Sequence, residues 1–313
     1  MIRNKSHNKI DQTVIIILLL LVLLVQPGLT QILSTDARMM SLGEAFHSLS
    51  DDVDSVSYNP AGLTHLKNIM FSCSYLPVWD SLTTVYFFGF AYPQETIPFG
   101  IGFFNASTDG ILIRADSPEV LRKTRYQDIS LFLAGGYAIV PGMSLGLRLN
   151  MNYLKIVNYD HFRLGTDLAF LWRMENPYGF TKSKILRALK PFSLGVTLNN
   201  LFSTPLKLKQ TSETDPLNIF SSLSYRFKRI GRFIEPELGL GFDLVPEYSE
   251  SSINAGLELI LWKVLFLRSA YKFREGSFTL GTGFRAWDIK LDLALSNLEI
   301  DQNFYSFSIK VNF

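Results

Sequence analysis

The chain is short of almost everything that marks a soluble enzyme or a disulfide-built secreted domain. It has one cysteine in 313 residues, Cys73, so no intramolecular disulfide framework can hold it together. Cys73 alternates with Ile69, Phe71 and Tyr75, where a small apolar residue fits better than a reactive thiol. The formal net charge is only +2, which gives no global field for nucleic acid, and no such partner is expected. His47, His65 and His161 are scattered, and no nucleophile elbow, zinc-type His-Glu spacing or phosphate loop is present. An enzyme is therefore not expected, and no catalytic residue, cofactor or metal is assigned. Asp51, Asp52 and Asp54 lack the glycine and distal glutamate of a calcium loop and read instead as a solvated helix end.

Long hydrophobic runs are also nearly absent. The longest apolar stretch, Val14 to Val25, is twelve residues, whereas a spanning helix needs about 20. The best later candidate, Leu257 to Leu267, is interrupted by Glu258 and Lys263. A closed barrel of strands is the only other way to satisfy backbone hydrogen bonds in lipid.

What is present at the start is an export signal. Arg3, Lys5 and Lys9 form a basic leader, the apolar run follows, and Gly28-Leu29-Thr30 supplies small residues around a cleavage point. Residues 1–30 read as a secretory signal peptide cleaved near Thr30-Gln31, with an uncleaved signal anchor as the alternative. An apolar fraction of 47% and an aromatic fraction of 13% are high for an exported chain.

From Ile69 onward the pattern has period two. Tyr305, Phe307, Ile309, Val311 and Phe313 share one face of the last segment, and Ser306, Ser308, Lys310 and Asn312 the other. The same split sets Leu145, Leu147, Leu149, Met151 and Tyr153 against Ser144, Gly146, Arg148, Asn150 and Asn152. Strands of about ten residues, apolar outward and polar inward, are the signature of outer-membrane barrels, although a soluble sandwich also alternates. Turn signals divide the chain into fourteen candidates: 68–76, 82–92, 98–107, 126–139, 143–156, 163–173, 191–199, 216–228, 232–244, 251–261, 264–273, 277–285, 287–296 and 303–313. Segments 108–125 and 200–215 are then long outer loops. Segment 174–190, long on the inner side, carries Lys182, Lys184, Arg187 and Lys190 around Ile185, Leu186 and Leu189, which suits a basic amphipathic surface helix.

Residues 31–66 break that pattern. Met39, Leu42, Phe46, Leu49, Val53 and Val56 step by three and four, the spacing of one helical face. Gly43 and the Ser50-Asp51 cap signal suggest two short helices, ended at Asn59-Pro60 because the residue before proline leaves the helical basin. So short a segment needs a cavity to hold it. Glycines on the polar faces of the strands (Gly100, Gly102, Gly146, Gly165, Gly195, Gly239, Gly241, Gly256, Gly281, Gly283) leave room for it inside a barrel over 67–313. The lumen so defined carries Arg148, Asp167, Arg226, Asp243, Glu258, Arg268, Lys272 and Asp292, charges of both signs that can pair with one another or with the plug.

The order Ala37-Arg38, Leu42-Gly43, Ala45-Phe46, Ser50-Asp51-Asp52 and Tyr58-Asn59-Pro60-Ala61-Gly62-Leu63 resembles the N-terminal hatch of FadL-like outer-membrane transporters and their PorV/PorQ-type relatives. Gly165-Thr166-Asp167-Leu168, Asn199-Asn200-Leu201, Gly256-Leu257-Glu258 and Arg268-Ser269-Ala270-Tyr271-Lys272 are similar to phrases of the PorV/PorQ branch. The resemblance implies an all-β, fourteen-stranded transmembrane barrel in the outer membrane, closed by a hatch. Asn59, Pro60, Ala61 and Gly62 would be its signature turn, and Met39, Leu42, Phe46 and Leu49 its packed face. It implies outer-membrane lipid as surroundings and recognition by the barrel-assembly machinery through the strand ending at Phe313. Two functions follow as expectations: passive, hatch-gated transport of small hydrophobic molecules, or a non-conducting barrel that binds exported or surface proteins. A purely structural outer-membrane role is the third.

Overall fold

The computed structural model describes residues 35–78, 81–114, 120–157, 159–173, 189–208, 211–298 and 302–313. The expected signal peptide, and all of the basic helix expected over 174–190 except its last two residues, lie outside the described residues.

The strands are β1 (Met70–Val78), β2 (Thr83–Tyr92), β3 (Phe99–Arg114), β4 (Val120–Val140), β5 (Met143–Ile156), β6 (Tyr159–Arg173), β7 (Phe192–Ser203), β8 (Leu206–Leu208), β9 (Thr211–Glu213), β10 (Asn218–Arg226), β11 (Ile234–Val245), β12 (Glu250–Leu261), β13 (Leu265–Lys272), β14 (Ser277–Ala286), β15 (Ile289–Leu298) and β16 (Gln302–Asn312). β1–β7 and β10–β16 close into one antiparallel barrel of fourteen strands, and β8 and β9 form a separate hairpin. The barrel shuts where β1 meets β16, with Met70 opposite Asn312 and Tyr75 opposite Phe307. Each barrel strand overlaps one of the fourteen ranges read from alternation.

The alternation explains the closure. Leu145, Leu147 and Leu149 stand on the outer surface of β5 while Ser144 and Arg148, which alternate with them, are buried in the lumen. On β16, Tyr305 and Phe307 point outward and Ser306, Ser308 and Lys310 inward. In lipid the outward set loses nothing, and the ladder satisfies the backbone. Rings gather at the end where the chain enters β1: Phe71 packs on Phe90 (4.9 Å) and Phe313 (5.6 Å), Tyr92 on Phe99 (5.5 Å), and Phe233 on Trp262 (5.5 Å). That is an aromatic girdle at a membrane interface. No helix among the described residues is long and apolar enough to cross a membrane.

Two expected outer loops are corrected. Segment 108–125 is largely strand: β3 runs on to Arg114 and β4 begins at Val120. Asp109-Gly110, within that range, is a bulge between the pairs Thr108–Tyr126 and Ile111–Thr124, with Gly110 at φ 76°. Segment 200–215 holds the end of β7 and the β8–β9 hairpin. The plug is also more broken than two helices. It comprises a helix at Ala37–Ser41, a 3₁₀ turn at His47–Leu49, a helical turn at Ser55–Tyr58 and a 3₁₀ helix at Pro60–His65. Gly43 and Glu44, both at positive φ (60° and 64°), interrupt the first two. Asn59-Pro60 does not end the helical region; it starts its last turn, because proline suits the first position of a helix.

Candidate functional site

The plug fills the lumen and is built around a small core of its own. Met39, Leu42, Phe46 and Leu49, the four residues read as one helical face, form a buried cluster with Tyr58 against it. Burying each such side chain contributes about 1.5–3 kcal/mol. Val53 and Val56 leave this face and pack instead with Leu63, Leu66, Ala91 and Ala134, joining plug to wall. The chain leaves the 3₁₀ turn in non-helical backbone at Ser50 (ψ 109°), which carries the later residues off this face as a continuous helix could not.

The turn at Asn59 fastens the plug internally. Its side chain is fully buried, Oδ1 accepts from the Ala61 amide (3.1 Å), and Nδ2 donates to the His47 carbonyl (2.7 Å). Asn59→Ala removes a helix cap and orphans a buried carbonyl, a cost of about 2–4 kcal/mol. The expected result is faster amide exchange across residues 47–61 with barrel strands unchanged; unchanged exchange there would contradict this role.

The wall receives the plug through glycines. A Cβ at Gly146 would lie 2.2 Å from the Ala61 nitrogen, at Gly195 2.5 Å from the His47 carbonyl carbon, at Gly256 2.5 Å from the Leu42 oxygen, and at Gly281 2.3 Å from Ser41 Cβ. Two of the glycines read as plug-facing differ. Gly283 makes room for Asp292 and Arg268, and Gly165 faces Asn150.

Charge locks the fit. Lys310 on β16 is 2% exposed, and its Nζ meets Asp36 (3.2 Å), Asp52 (2.8 Å) and Asp54 of the plug. Arg38 bonds Asp51 (2.7 Å) and Asp52 (3.1 Å) within the plug and reaches Glu258 of β12 (3.4 Å). Glu258 and Asp292 share Arg268, each at 2.7 Å. The reading of Asp51, Asp52 and Asp54 as a solvated helix end is therefore overturned: all three engage buried cations of plug and wall. Burial alone would raise the Asp52 carboxyl, but Lys310 and Arg38 hold it well below the usual range. Burial and the neighbouring Asp36 push Asp54 up, because one ammonium cannot hold three anions.

The other lumenal charges separate into local pairs. Arg148 Nε donates to Asp167 (2.5 Å), which also accepts from Asn150 (2.6 Å) and from the Asn200 amide (2.7 Å). Asp167 so pins a bulge in which Asn199, Asn200 and Leu201 stand opposite one residue of β6. Arg226 pairs with Glu237 (3.2 Å), and Lys272 with Glu44 (3.0 Å). Asp243 lies within electrostatic reach of Glu44, Lys272 and Arg274 and takes a hydrogen bond from Asn218. Nothing local in the sequence ties Lys310 or Asp36 to the lock; alternation puts Lys310 and Glu237 on inward faces and says no more.

Beyond the plug lies a cavity of about 550 Å³. Its floor is plug: Thr35, Glu44, His47, Ser57 and Tyr58. One side is Phe87, Phe104 and Phe132 from β2–β4; the other includes Asn199, Asn218, Phe220 and Asp243 from β7, β10 and β11. His47 stacks on Phe220 (4.9 Å), and its Nδ1 lies 3.1 Å from the Tyr58 carbonyl. Burial lowers the His47 imidazole to about 4, and His65 likewise to about 4. At these histidines the unseated plug binds protons near pH 6.5 and the seated one does not, so their contribution to seating is constant above about pH 6.5 and weakens between 6.5 and 4, while the raised Asp54 acts in the opposite sense. For His47 the full effect is roughly 3 kcal/mol. The ratio of protease release at pH 5 to that at pH 7.5 should be larger in wild type than in the His47→Gln, His65→Gln double variant, which keeps the same Asp54; equal ratios would contradict the histidine contribution.

An apolar exterior, a closed ladder and a filled, charged lumen define a plugged transmembrane barrel of the outer-membrane class. No protein-family model matches the chain, and no curated protein matches it in sequence. Among solved structures it is similar to the CymD monoaromatic hydrocarbon channel, with a TM-score of 0.60 and 10% identity over 90% of this chain and 98% of that one. The Pseudomonas putida toluene transporter TodX aligns with a TM-score of 0.56 and 10% identity over 87% and 98%. A Pseudomonas aeruginosa FadL homologue gives 0.53 and 10% over 90% and 99%. The likeness is one of fold, and it agrees with the FadL-like architecture that the plug motif implied.

Proposed function

We propose that the protein is a passive outer-membrane transporter of small hydrophobic molecules whose plug is the gate. The observation that carries this reading is the cavity floored by plug residues His47, Ser57 and Tyr58: a solute held there can go inward only if the plug shifts. Its size suits a small ligand, since such sites occupy about 300–1,000 Å³. The similar folds named above as hydrocarbon and toluene channels support the same class of cargo.

Lipid vesicles pass such solutes unaided, so the test belongs in cells whose lipopolysaccharide leaflet blocks them. In a host lacking its own hydrophobic-solute channels, expression should raise uptake of labelled toluene severalfold over an empty vector. Equal uptake would defeat the reading. It would then favour the second one, a non-conducting barrel for exported proteins, which the many buried ion pairs fixing the plug support.

A further inference from the structure

The cavity above the plug is chemically two-sided, and the asymmetry names the kind of molecule that fits. Phe87, Phe104 and Phe132 give one side flat apolar faces. Facing them is a set of buried oxygens without hydrogen-bond partners, Asn199 Oδ1, Asn218 Oδ1 and Asp243 Oδ1, while Asn150 Oδ1, also unpartnered, lies beside Phe132 on the neighbouring strand. All four residues line the cavity. Two of the amides have a fixed sense. The Asn150 Nδ2 is spent on Asp167 (2.6 Å) and the Asn218 amide on Asp243, so their remaining atoms are acceptors. Asn218 is only 6% exposed. Burying an acceptor without a donor costs about 1–3 kcal/mol, so acceptors collected on one side of a cavity mark where donors belong.

The arginines at the cavity do not reverse this polarity. Arg148 Nε is engaged by Asp167 (2.5 Å), and its guanidinium lies over the Phe132 ring (5.0 Å). Arg163 is spent on Asp215 (2.5 Å) and on Asn152 (3.0 Å). A carboxylate head would meet Asp243 across from Asn218, whereas a hydroxyl or ammonium head would satisfy both.

We propose that this cavity binds small molecules with a planar apolar body and a hydrogen-bond-donating head, such as a phenol or an arylalkylamine, in preference to bare hydrocarbons and carboxylates. The body lies against Phe87, Phe104 and Phe132, and the head reaches Asn218 and Asp243. This rests on the transport reading for the role of the cavity but is tested by binding alone.

The test uses the full chain in amphipol, so that no micelle absorbs the probes. Fluorine NMR line broadening is recorded for 4-fluorophenol, 4-fluorobenzylamine, 4-fluorotoluene and 4-fluorobenzoate. Phenol and amine should bind at least tenfold more tightly than toluene and benzoate. Asn218→Leu should abolish that preference while leaving fluorotoluene unchanged, and Asp243→Asn should weaken the amine more than the phenol. Heat-modifiable gel migration verifies that each variant remains a barrel; should Asn218→Leu fail that check, Asn199→Leu, its neighbour on β7, takes its place. Tighter binding of toluene or benzoate, or equal binding of all four, overturns the inference and leaves the transport reading standing. Binding of none overturns it too. Absent uptake in cells with the phenol preference intact would instead defeat transport and keep the site.

Discussion

Lys310→Met should release the plug from the barrel wall while leaving the barrel closed. The side chain is buried and is the meeting point of Asp36, Asp52 and Asp54. Removing one partner of a buried ion pair costs about 3–5 kcal/mol, because the charges left behind have lost both water and counter-ion. Here Asp36, Asp52 and Asp54 lose a common partner, although Arg38 still holds Asp52. The outward face of β16 is untouched, so the ladder with β1 and β15 has no reason to fail. Limited proteolysis should cut the variant within residues 35–66 at least a hundredfold faster than wild type, with the barrel fragment intact on gels. Asp36→Asn in the same chain should recover part of the loss, because it removes a stranded charge while its Oδ1 can still accept from the Met39 amide. If the plug stays as protected as in wild type, the charge lock is not what seats it.

Gly146→Val should have an effect of similar size by a different route. The nearest atoms to its first added carbon are the Ala61 nitrogen at 2.2 Å and the Pro60 carbonyl carbon at 2.5 Å. Both are backbone, so no rotamer change relieves the clash, and overpacking costs about 3 kcal/mol or more where neighbours cannot give way. Glycine weakens a strand interior, so the substitution favours the wall itself. The expected product is therefore a sound barrel with a displaced Asn59–Gly62 turn. Gly165→Ala is the control, since its added carbon would meet nothing nearer than 3.6 Å. Amide exchange of residues 59–66 should rise in the first variant and not in the second.

These two variants also show what the sequence could and could not disclose. The barrel was legible because period-two alternation repeats in every strand, and one local rule applied fourteen times leaves little freedom. The plug was legible as a helical interruption, and glycines such as Gly146 and Gly256 were legible as space set aside for it. The lock was not. Asp51, Asp52 and Asp54 sit in a polar run that looks solvated from within, and Lys310 lies 258 positions from Asp52. Only closure of β1 on β16 brings Lys310 to the plug. The loops failed for a related reason: Asp109-Gly110 carries a turn signal, yet the strand pairing on either side absorbs it as a bulge. The cavity is a property of which inward residues share a height in the barrel, and periodicity along one strand does not give heights between strands.

If the plug is the gate, solute passes only when it moves. The Ser48 amide donates to Ser222 Oγ on β10 at 2.6 Å, so Ser48→Cys with Ser222→Cys, in a Cys73→Ala background, offers a reversible tether between plug and wall. Labelled toluene uptake should be measured in the same cells before and after oxidation, and again after reduction. The account predicts uptake near wild type when reduced, a fall of at least tenfold when oxidised, and recovery on re-reduction. Undiminished uptake with the tether closed would contradict it, because the solute would then have a route that leaves the plug in place.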